Sequence, residues 1–254
     1  MYFDTHSHYD DTRFDDDRDE LLRSMGDSGI TLILNAASSV SSAKFGLTLA
    51  DRYLFIYSAV GVHPHDAKSM SDGTVPELET LLSHKKAMAV GEIGLDYHYD
   101  FSPRDIQKKR FREQLELARR VKKPVVIHER EALADTLGTI KDFRDLTGVF
   151  HCFSGSWETA KIIIDMGWYL SFTGIITFKN ARRALEVIEK MPLDRIMLET
   201  DCPYLAPEPM RGRRNSSLYL PYIAEKIAEI RCKPIAEIAE LTMENGKRFF
   251  GIAR

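Results

Sequence analysis

A single (β/α)8 TIM barrel is the fold this sequence predicts, and three observations predict it. Apolar stretches of strand length alternate with helical stretches eight times along the chain. Those stretches are nearly continuous runs of Ile, Val, Leu and Ala, as in parallel strands covered by helices on both faces. The alternation fills about 250 residues with no Pro- or Ser-rich linker, the size one barrel needs. A doubly wound open sheet is the structural competitor, and periodicity does not separate the two. With no linker or composition shift, residues 1–254 are read as one domain.

The first strand is the run from Met1 to His8, and a helix follows around Asp16 to Met25. Gly29 then opens Ile30-Thr31-Leu32-Ile33-Leu34-Asn35, the second strand. A helix from Ser41 to Tyr53 precedes Phe55 to Val60, and one from Pro76 to Ser83 precedes Ala87 to Val90. Between Pro103 and Val121, Phe111, Leu115 and Ala118 recur at helical spacing, and Pro124 opens Val125-Val126-Ile127. Gly148 to Phe150, Trp168 to Phe172 and Arg195 to Leu198 complete the strands, separated by helices in the 130s, from Trp157, and over Ala184 to Met191. Two helices carrying Ile223, Ile227 and Ile230, then Ile235, Ile238 and Phe249, end the chain.

Composition sets bounds on function. Charged residues are 29% and hydrophobic residues 44%, ordinary for a soluble globular protein, and the net charge of −3 gives no strong global attraction for a polyanion. A nucleic-acid site would have to be local. The chain shows neither a signal-peptide pattern nor an apolar run long enough to span a bilayer. Cys152, Cys202 and Cys232 are odd in number and widely spaced, unlike a disulfide framework. These features predict a soluble protein of the reducing cytoplasm, with no membrane partner.

In a barrel the reactive side chains gather at the C-terminal ends of the strands. The first strand ends in Asp4-Thr5-His6-Ser7-His8, whose period of two puts His6 and His8 on one face. The second ends in Asn35, the third in His63-Pro64-His65, the fourth in Gly91-Glu92-Ile93-Gly94-Leu95-Asp96 and the fifth in His128-Glu129-Arg130. The sixth ends in His151-Cys152, the seventh near Thr173-Gly174 and the eighth in Glu199-Thr200-Asp201-Cys202. Six of eight histidines thus sit at strand ends, where chance would scatter them over helix surfaces and loops. Each has an ordinary alternative on its own, such as Glu92 paired with Arg130 or Asp201 opening a turn before Pro203. Agreement across the strand ends favours metal binding.

Three to four imidazoles with two carboxylates suit two borderline divalent ions better than one. Glu92 is the natural bridge, having two oxygens and a glycine before it. Asp201 is expected to hold one ion and to act as general base toward the attacking water. Cys152 and Cys202 each follow a ligand directly, so on a strand they would face away, and both are expected to be buried packing residues. His84 receives no role, and His98 is expected to be an exposed loop histidine.

The segments Phe3-Asp4-Thr5-His6-Ser7-His8, Gly61-Val62-His63-Pro64-His65, Gly91 to Tyr97, His151-Cys152-Phe153-Ser154-Gly155, Phe172-Thr173-Gly174 with Thr177-Phe178-Lys179-Asn180, and Leu198 to Asp201 with Pro203 to Pro207 resemble the TatD family of metal-dependent deoxyribonucleases. The resemblance runs in order from residue 3 to Phe250. It implies a TIM barrel of the metal-dependent hydrolase superfamily that cleaves DNA phosphodiesters with two divalent ions, Mg, Mn or Zn. By position it implies that His6, His8 and Asp201 hold the first ion, that Glu92 bridges, and that His128 and His151 hold the second. His63 falls at the phosphate side, and His65 beside it is placed with the substrate residues.

Where the family usually reads Arg-Gly-Lys-Arg-Asn-Glu-Pro, this chain has Arg211-Gly212-Arg213-Arg214-Asn215-Ser216-Ser217, and the two serines are expected to shift the following helix start. Glu129 also stands where the family more often has a small or neutral residue. Both departures bear on substrate preference rather than on the metal site. Lys179, Arg182, Arg183, Arg211, Arg213 and Arg214 follow the last strands and would form a cationic rim, the alternative for each being a solvated, salt-bridged surface residue, with Arg130, Lys179 and Arg211 assigned to substrate. Tyr204, Phe178 and Trp157 are candidates for stacking on unpaired bases or for barrel packing. The expected substrate is DNA, single-stranded or with free ends, digested as by an exonuclease. The alternative is a small-molecule amidohydrolase or lactonase on the same barrel.

Overall fold

The structure is a computed structural model, and it describes residues 1–252. The chain is a (β/α)8 TIM barrel whose eight strands follow one another in sheet order, β1 to β8. Two compact units can be distinguished, residues 1–35 with 152–254, and residues 36–151.

The first unit holds β1 (Tyr2–Ser7), α1 (Arg18–Ser24) and most of β2 (Ile30–Ala36), then α6 (Trp157–Asp165), β7 (Tyr169–Phe172), α7 (Arg182–Lys190), β8 (Ile196–Leu198), α8 (Leu220–Arg231) and α9 (Ile235–Phe250). β1 runs parallel to β2, with Phe3 opposite Leu32 and Ser7 opposite Asn35. On its other side β1 meets the chain leaving β8: the Asp201 N–H donates to the His6 carbonyl at 2.9 Å, and the His8 N–H to the Cys202 carbonyl at 2.8 Å. Helix α9 closes on this strand through Gly246, where a Cβ would lie 2.6 Å from the Phe3 ring. Only a residue without a side chain allows that approach. The buried Asn245 carboxamide donates to the carbonyls of Leu193 and Ile196, both at 2.8 Å, and so ties α9 to the start of β8.

The second unit holds α2 (Val40–Arg52), β3 (Ile56–Val60), α3 (Thr74–Leu82), β4 (Ala87–Asp96), α4 (Arg104–Val121), β5 (Val125–Arg130), α5 (Leu133–Ile140) and β6 (Gly148–Phe150). β4 and β5 are longer than the apolar runs suggest. β4 continues past Val90 because its backbone keeps pairing with β5, Ile93 with Ile127 and Gly94 with His128, although Gly91, Glu92 and Gly94 interrupt the hydrophobic pattern. Gly94, at φ 149°, lies so close to β5 that a Cβ would fall 1.9 Å from the His128 carbonyl oxygen. Close backbone approach, not apolar content, makes this stretch a strand.

Two buried glutamines of α4 position the loops that follow β3 and β4. The Gln114 carboxamide accepts from the Val62 N–H at 2.8 Å and donates to its carbonyl at 3.0 Å. Gln107 accepts from the Asp96 N–H at 2.8 Å and donates to the carbonyls of Asp96 and Ser102 at 3.0 and 2.8 Å. A helix side chain thus satisfies backbone groups that the ending strand leaves open.

Candidate metal centre

In the second unit, three imidazoles converge on one carboxylate oxygen. Glu92, at the turn of β4 toward its glycine-rich end, is buried, and its Oε1 lies 2.7 Å from His128 Nδ1, 2.8 Å from His151 Nε2 and 3.4 Å from His63 Nε2. The two nearer nitrogens are 3.2 Å apart. Donor atoms of His63, Glu92 and His128 all fall within 4.8 Å of one another, close enough to hold a metal ion. His63, expected at the phosphate side, lies within this group of candidate ligand side chains.

Asp96, the last residue of β4, is the carboxylate behind this group. Its Oδ2 meets His128 Nε2 at 3.1 Å and His65 Nε2 at 2.9 Å, and its Oδ1 accepts from the N–H groups of His98 and Tyr99 at 3.0 and 2.9 Å. Burial works to raise its pKa, but the hydrogen bonds from His128, His65 and Tyr99 win and hold it well below the usual carboxylate range. Burial would likewise lower His128, yet its bonds to Asp96 and Glu92 raise it. His63 is pushed down to about 4, first by burial, so it is a neutral imidazole at physiological pH.

In the first unit, His6 and His8 project from the end of β1, and Asp201 follows β8. His6 Nε2 and His8 Nε2 are 3.2 Å apart, while Asp201 Oδ1 is 3.2 Å from His8 Nε2 and 3.8 Å from His6 Nε2. Asp201 is held at φ 56°, the left-handed region that non-glycine residues rarely enter, and such positions concentrate at functional sites. Beneath this group lies buried Asp4, which accepts from the Thr200 N–H at 2.9 Å, the Thr200 hydroxyl at 2.5 Å and the Ser217 hydroxyl at 2.6 Å. Burial lifts its pKa to about 7 against those three donors. Glu199, also buried, accepts from the Cys152 N–H and the Ser171 hydroxyl, both at 2.5 Å.

The donor chemistry fits divalent metal ions in both groups. Ligands of a tetrahedral ion with metal–nitrogen bonds of about 2.0–2.1 Å stand roughly 3.3 Å apart. The two ring-nitrogen pairs, at 3.2 Å, match that spacing. His128 stands between two carboxylates, Glu92 at 2.7 Å and Asp96 at 3.1 Å, surroundings that would favour a cation held at its ring.

The remaining expectations divide. Asp96, Glu199 and Asp4 received no role from sequence reasoning, although the first two stand at strand ends and that position was their only signal. Arg130 is exposed and lies 4.7 Å over the Tyr99 ring. Arg211 lies 4.5 Å over Phe178 and 3.8 Å from Glu208, and Lys179 and Arg213 are exposed. Arg182 and Arg183 line a cavity of about 510 Å³ with Phe178, Asn180 and Ser154.

Arg214 takes the salt-bridged alternative: its guanidinium bonds the Asp17 carboxylate and the Arg13 carbonyl and lies 4.7 Å over Phe14, a structural tie. Tyr204 is 46% exposed, under the Arg13 guanidinium at 4.1 Å. Trp157 is half-buried with Lys190 6.0 Å away. Cys202 is buried as expected, and burial raises its thiol pKa well above the ordinary value. Cys152 is a correction. It is only half-buried, because β6 ends at Phe150 and Cys152 turns at φ 48° rather than continuing a strand. His98 is exposed and paired with Glu131, as a loop histidine.

The departure Ser216-Ser217 has a structural consequence. Ser217 is buried, donates to Asp4 and opens a short 3-10 turn, Ser217–Tyr219, so α8 begins at Leu220.

Comparison with known proteins agrees with this arrangement. The family model described as TatD related DNase matches residues 3–251. The metal-dependent hydrolase YabD of Bacillus subtilis, itself described as uncharacterized, is 41% identical over 254 residues, covering 99% of this chain and all of that protein. A Cronobacter sakazakii protein named 3'-5' ssDNA/RNA exonuclease TatD is 35% identical over 248 residues, 94% of each chain. The crystal structure of YJJV, a TatD homolog from Escherichia coli, superposes with a TM-score of 0.93 at 30% identity, covering 99% of this chain and 98% of the other.

Proposed function

The chain belongs to the TatD related DNase family of metal-dependent hydrolases, and from that premise we propose that it is an exonuclease acting on DNA with unpaired or free ends. The observation that carries the reading is the convergence of three imidazoles on the Glu92 carboxylate. In this reading His6, His8 and Asp201 hold one divalent ion, His128 and His151 a second, and Glu92 is shared, with Mg, Mn or Zn as the metals. Ions held there would supply Lewis acidity and a water that ionises near neutral pH.

The protein's own groups do the rest. Asp201 takes the proton of the attacking water. Asp96 fixes the orientation of His128 and His65 through its 3.1 and 2.9 Å contacts, and His65, 28% exposed, faces the substrate side. His63 adds a neutral donor. Lys179 and Arg211, with Arg130, supply positive charge for the phosphate backbone, which the net charge of −3 does not. The name of the Cronobacter relative supports nucleic acid as the substrate class.

We treat residues 1–254 as one catalytic domain of a cytoplasmic enzyme. Among the described residues no helix is long and apolar enough to cross a membrane. The test is release of nucleotides from end-labelled single-stranded DNA, with wild type, Glu92→Ala and chelated enzyme. Release by metal-loaded wild type alone supports the reading, and the labelled end gives the polarity. No release with any divalent ion overturns it and turns attention to lactones and cyclic amides, the substrates of the alternative amidohydrolase reading.

A further inference from the structure

The loop between β4 and α4 carries a feature that the metal centre does not use. Tyr99 and Phe101 are 47% and 55% exposed, and their rings stack with centroids 5.2 Å apart and planes 23° from parallel. The His65 ring stands edge-on to both, 5.3 Å from Tyr99 and 4.8 Å from Phe101, and the Arg130 guanidinium lies 4.7 Å over Tyr99.

A single exposed aromatic needs no explanation, but a stacked pair on a rigid loop does. This loop is pinned at several points. Asp96 accepts from the Tyr99 N–H at 2.9 Å. The buried Ser102 donates to the His65 carbonyl at 2.7 Å and accepts from the Lys68 N–H at 3.0 Å. Gln107 holds the backbone of both Asp96 and Ser102. The carboxylate that orients His128 and His65 therefore also fixes the aromatic pair.

We infer that Phe101 and Tyr99 form a stacking platform for an unpaired nucleobase of the substrate, with Arg130 beside them for an adjoining phosphate. This rests on the nuclease reading above and deepens it. A flat apolar surface backed by a guanidinium matches a planar ligand joined to an anion. A base buried in a duplex cannot offer its face to the rings, so the platform selects single-stranded ends.

The experiment is stopped-flow fluorescence of short single-stranded DNA carrying 2-aminopurine near its end, mixed with metal-loaded enzyme and read before turnover. Wild type is expected to quench the base. Phe101→Ala combined with Tyr99→Ala should lose the quench and raise Kd about ten-fold, whereas Phe101→Trp should keep both. A strand abasic at the probe position should bind wild type and the double-alanine variant alike.

A folded double-alanine variant with Kd within about two-fold of wild type overturns the platform, as does an abasic strand that loses as much affinity as the intact one. Failure of wild type to bind the strand also overturns it. Quenching that depends on Phe101, with no nucleotide released under any divalent ion, keeps the platform and overturns the nuclease reading. Release without any effect of these rings does the reverse.

Discussion

Around Glu92 a carboxylate lies directly between imidazoles, at 2.7 and 2.8 Å, and a second carboxylate, Asp96, backs one of them, His128. Around His6 and His8 the ring nitrogens approach each other at 3.2 Å, and the carboxylate beside them, Asp201, stands at 3.2 and 3.8 Å. The deeper acids of that region, Asp4 and Glu199, grip backbone N–H groups and hydroxyls. The first arrangement is a network in which imidazoles and carboxylates partly satisfy one another. The second is a pair of imidazoles whose placement comes from the backbone and the acids beneath. Removing the supporting carboxylate, Asp96 in one region and Asp4 in the other, should therefore act on metal binding in the first and on folding in the second.

The largest effect is expected at Glu92. Glu92→Ala should lower hydrolysis by about 10³-fold or more, since a shared ligand contributes several kcal/mol of charge stabilisation. Asp201→Asn should also abolish turnover, yet leave the ion at His128 and His151 in place. Metal content and turnover of both variants check this. Turnover within ten-fold of wild type in either variant sinks the assignment of that residue.

Next come the two supporting acids, whose contrast is the direct test of the comparison. Asp96→Asn should cost roughly 10–100-fold in metal affinity, because it orients His128 without being assigned as a ligand. Asp4→Asn should instead lower stability by about 1–3 kcal/mol, since three donors around it lose a carboxylate acceptor. Calorimetric metal titration and thermal unfolding of both variants separate these outcomes. A metal defect in Asp4→Asn larger than that in Asp96→Asn would break the comparison.

How much of this the sequence revealed follows from the range of the forces involved. The eight strands were legible because burial on both faces writes itself into each strand as an apolar run. The far half of β4 was legible as a ligand motif and not as a strand, because Gly91 and Gly94 serve a close approach to neighbouring backbone that no local pattern records. His6, Glu92 and His128 were singled out by position alone, as metal-ligand residue types in the motifs that close their apolar runs. The work of Asp96, Asp4 and Glu199 was not, because an acid at a strand end reads the same whether it faces a metal, an imidazole or a backbone N–H. Arg214 shows the same limit on the surface. Its partner Asp17 is 197 residues away, so the basic run left a phosphate contact and a salt bridge both open, and the fold made the salt bridge.

That distinction gives a smaller, electrostatic prediction within one loop. Arg211→Ala should weaken single-stranded DNA binding and flatten its salt dependence by about 0.7 in log–log slope, the share of one phosphate contact. Arg214→Ala should leave the slope unchanged and lower the melting temperature instead. An unchanged slope in Arg211→Ala removes that residue from the substrate path. A flattened slope in Arg214→Ala would mean that its bond to Asp17 yields to DNA.

The smallest expected effect concerns the surface beside His8. Asp11 receives two bonds from the Arg13 guanidinium, at 3.0 and 2.9 Å, and one from the Tyr204 hydroxyl at 3.2 Å, while the Tyr204 ring lies 6.3 Å from that of His8. The Arg13 hydrogen bonds, opposed by burial, hold the Asp11 carboxyl down at about 2, below the ordinary 3.8. A depressed carboxyl stabilises the fold fully above its unfolded pKa and loses that contribution as pH falls through the folded one. With Arg13 half in solvent, the contribution is about 1 kcal/mol. Asp11→Asn should therefore melt roughly 2–4 °C below wild type from pH 5 to 8, and the gap should close as pH falls from 4 toward 2. A gap that persists undiminished at pH 2.5 would assign the effect to packing of Tyr204 rather than to charge, and the ligands of β1 would then be framed by shape alone.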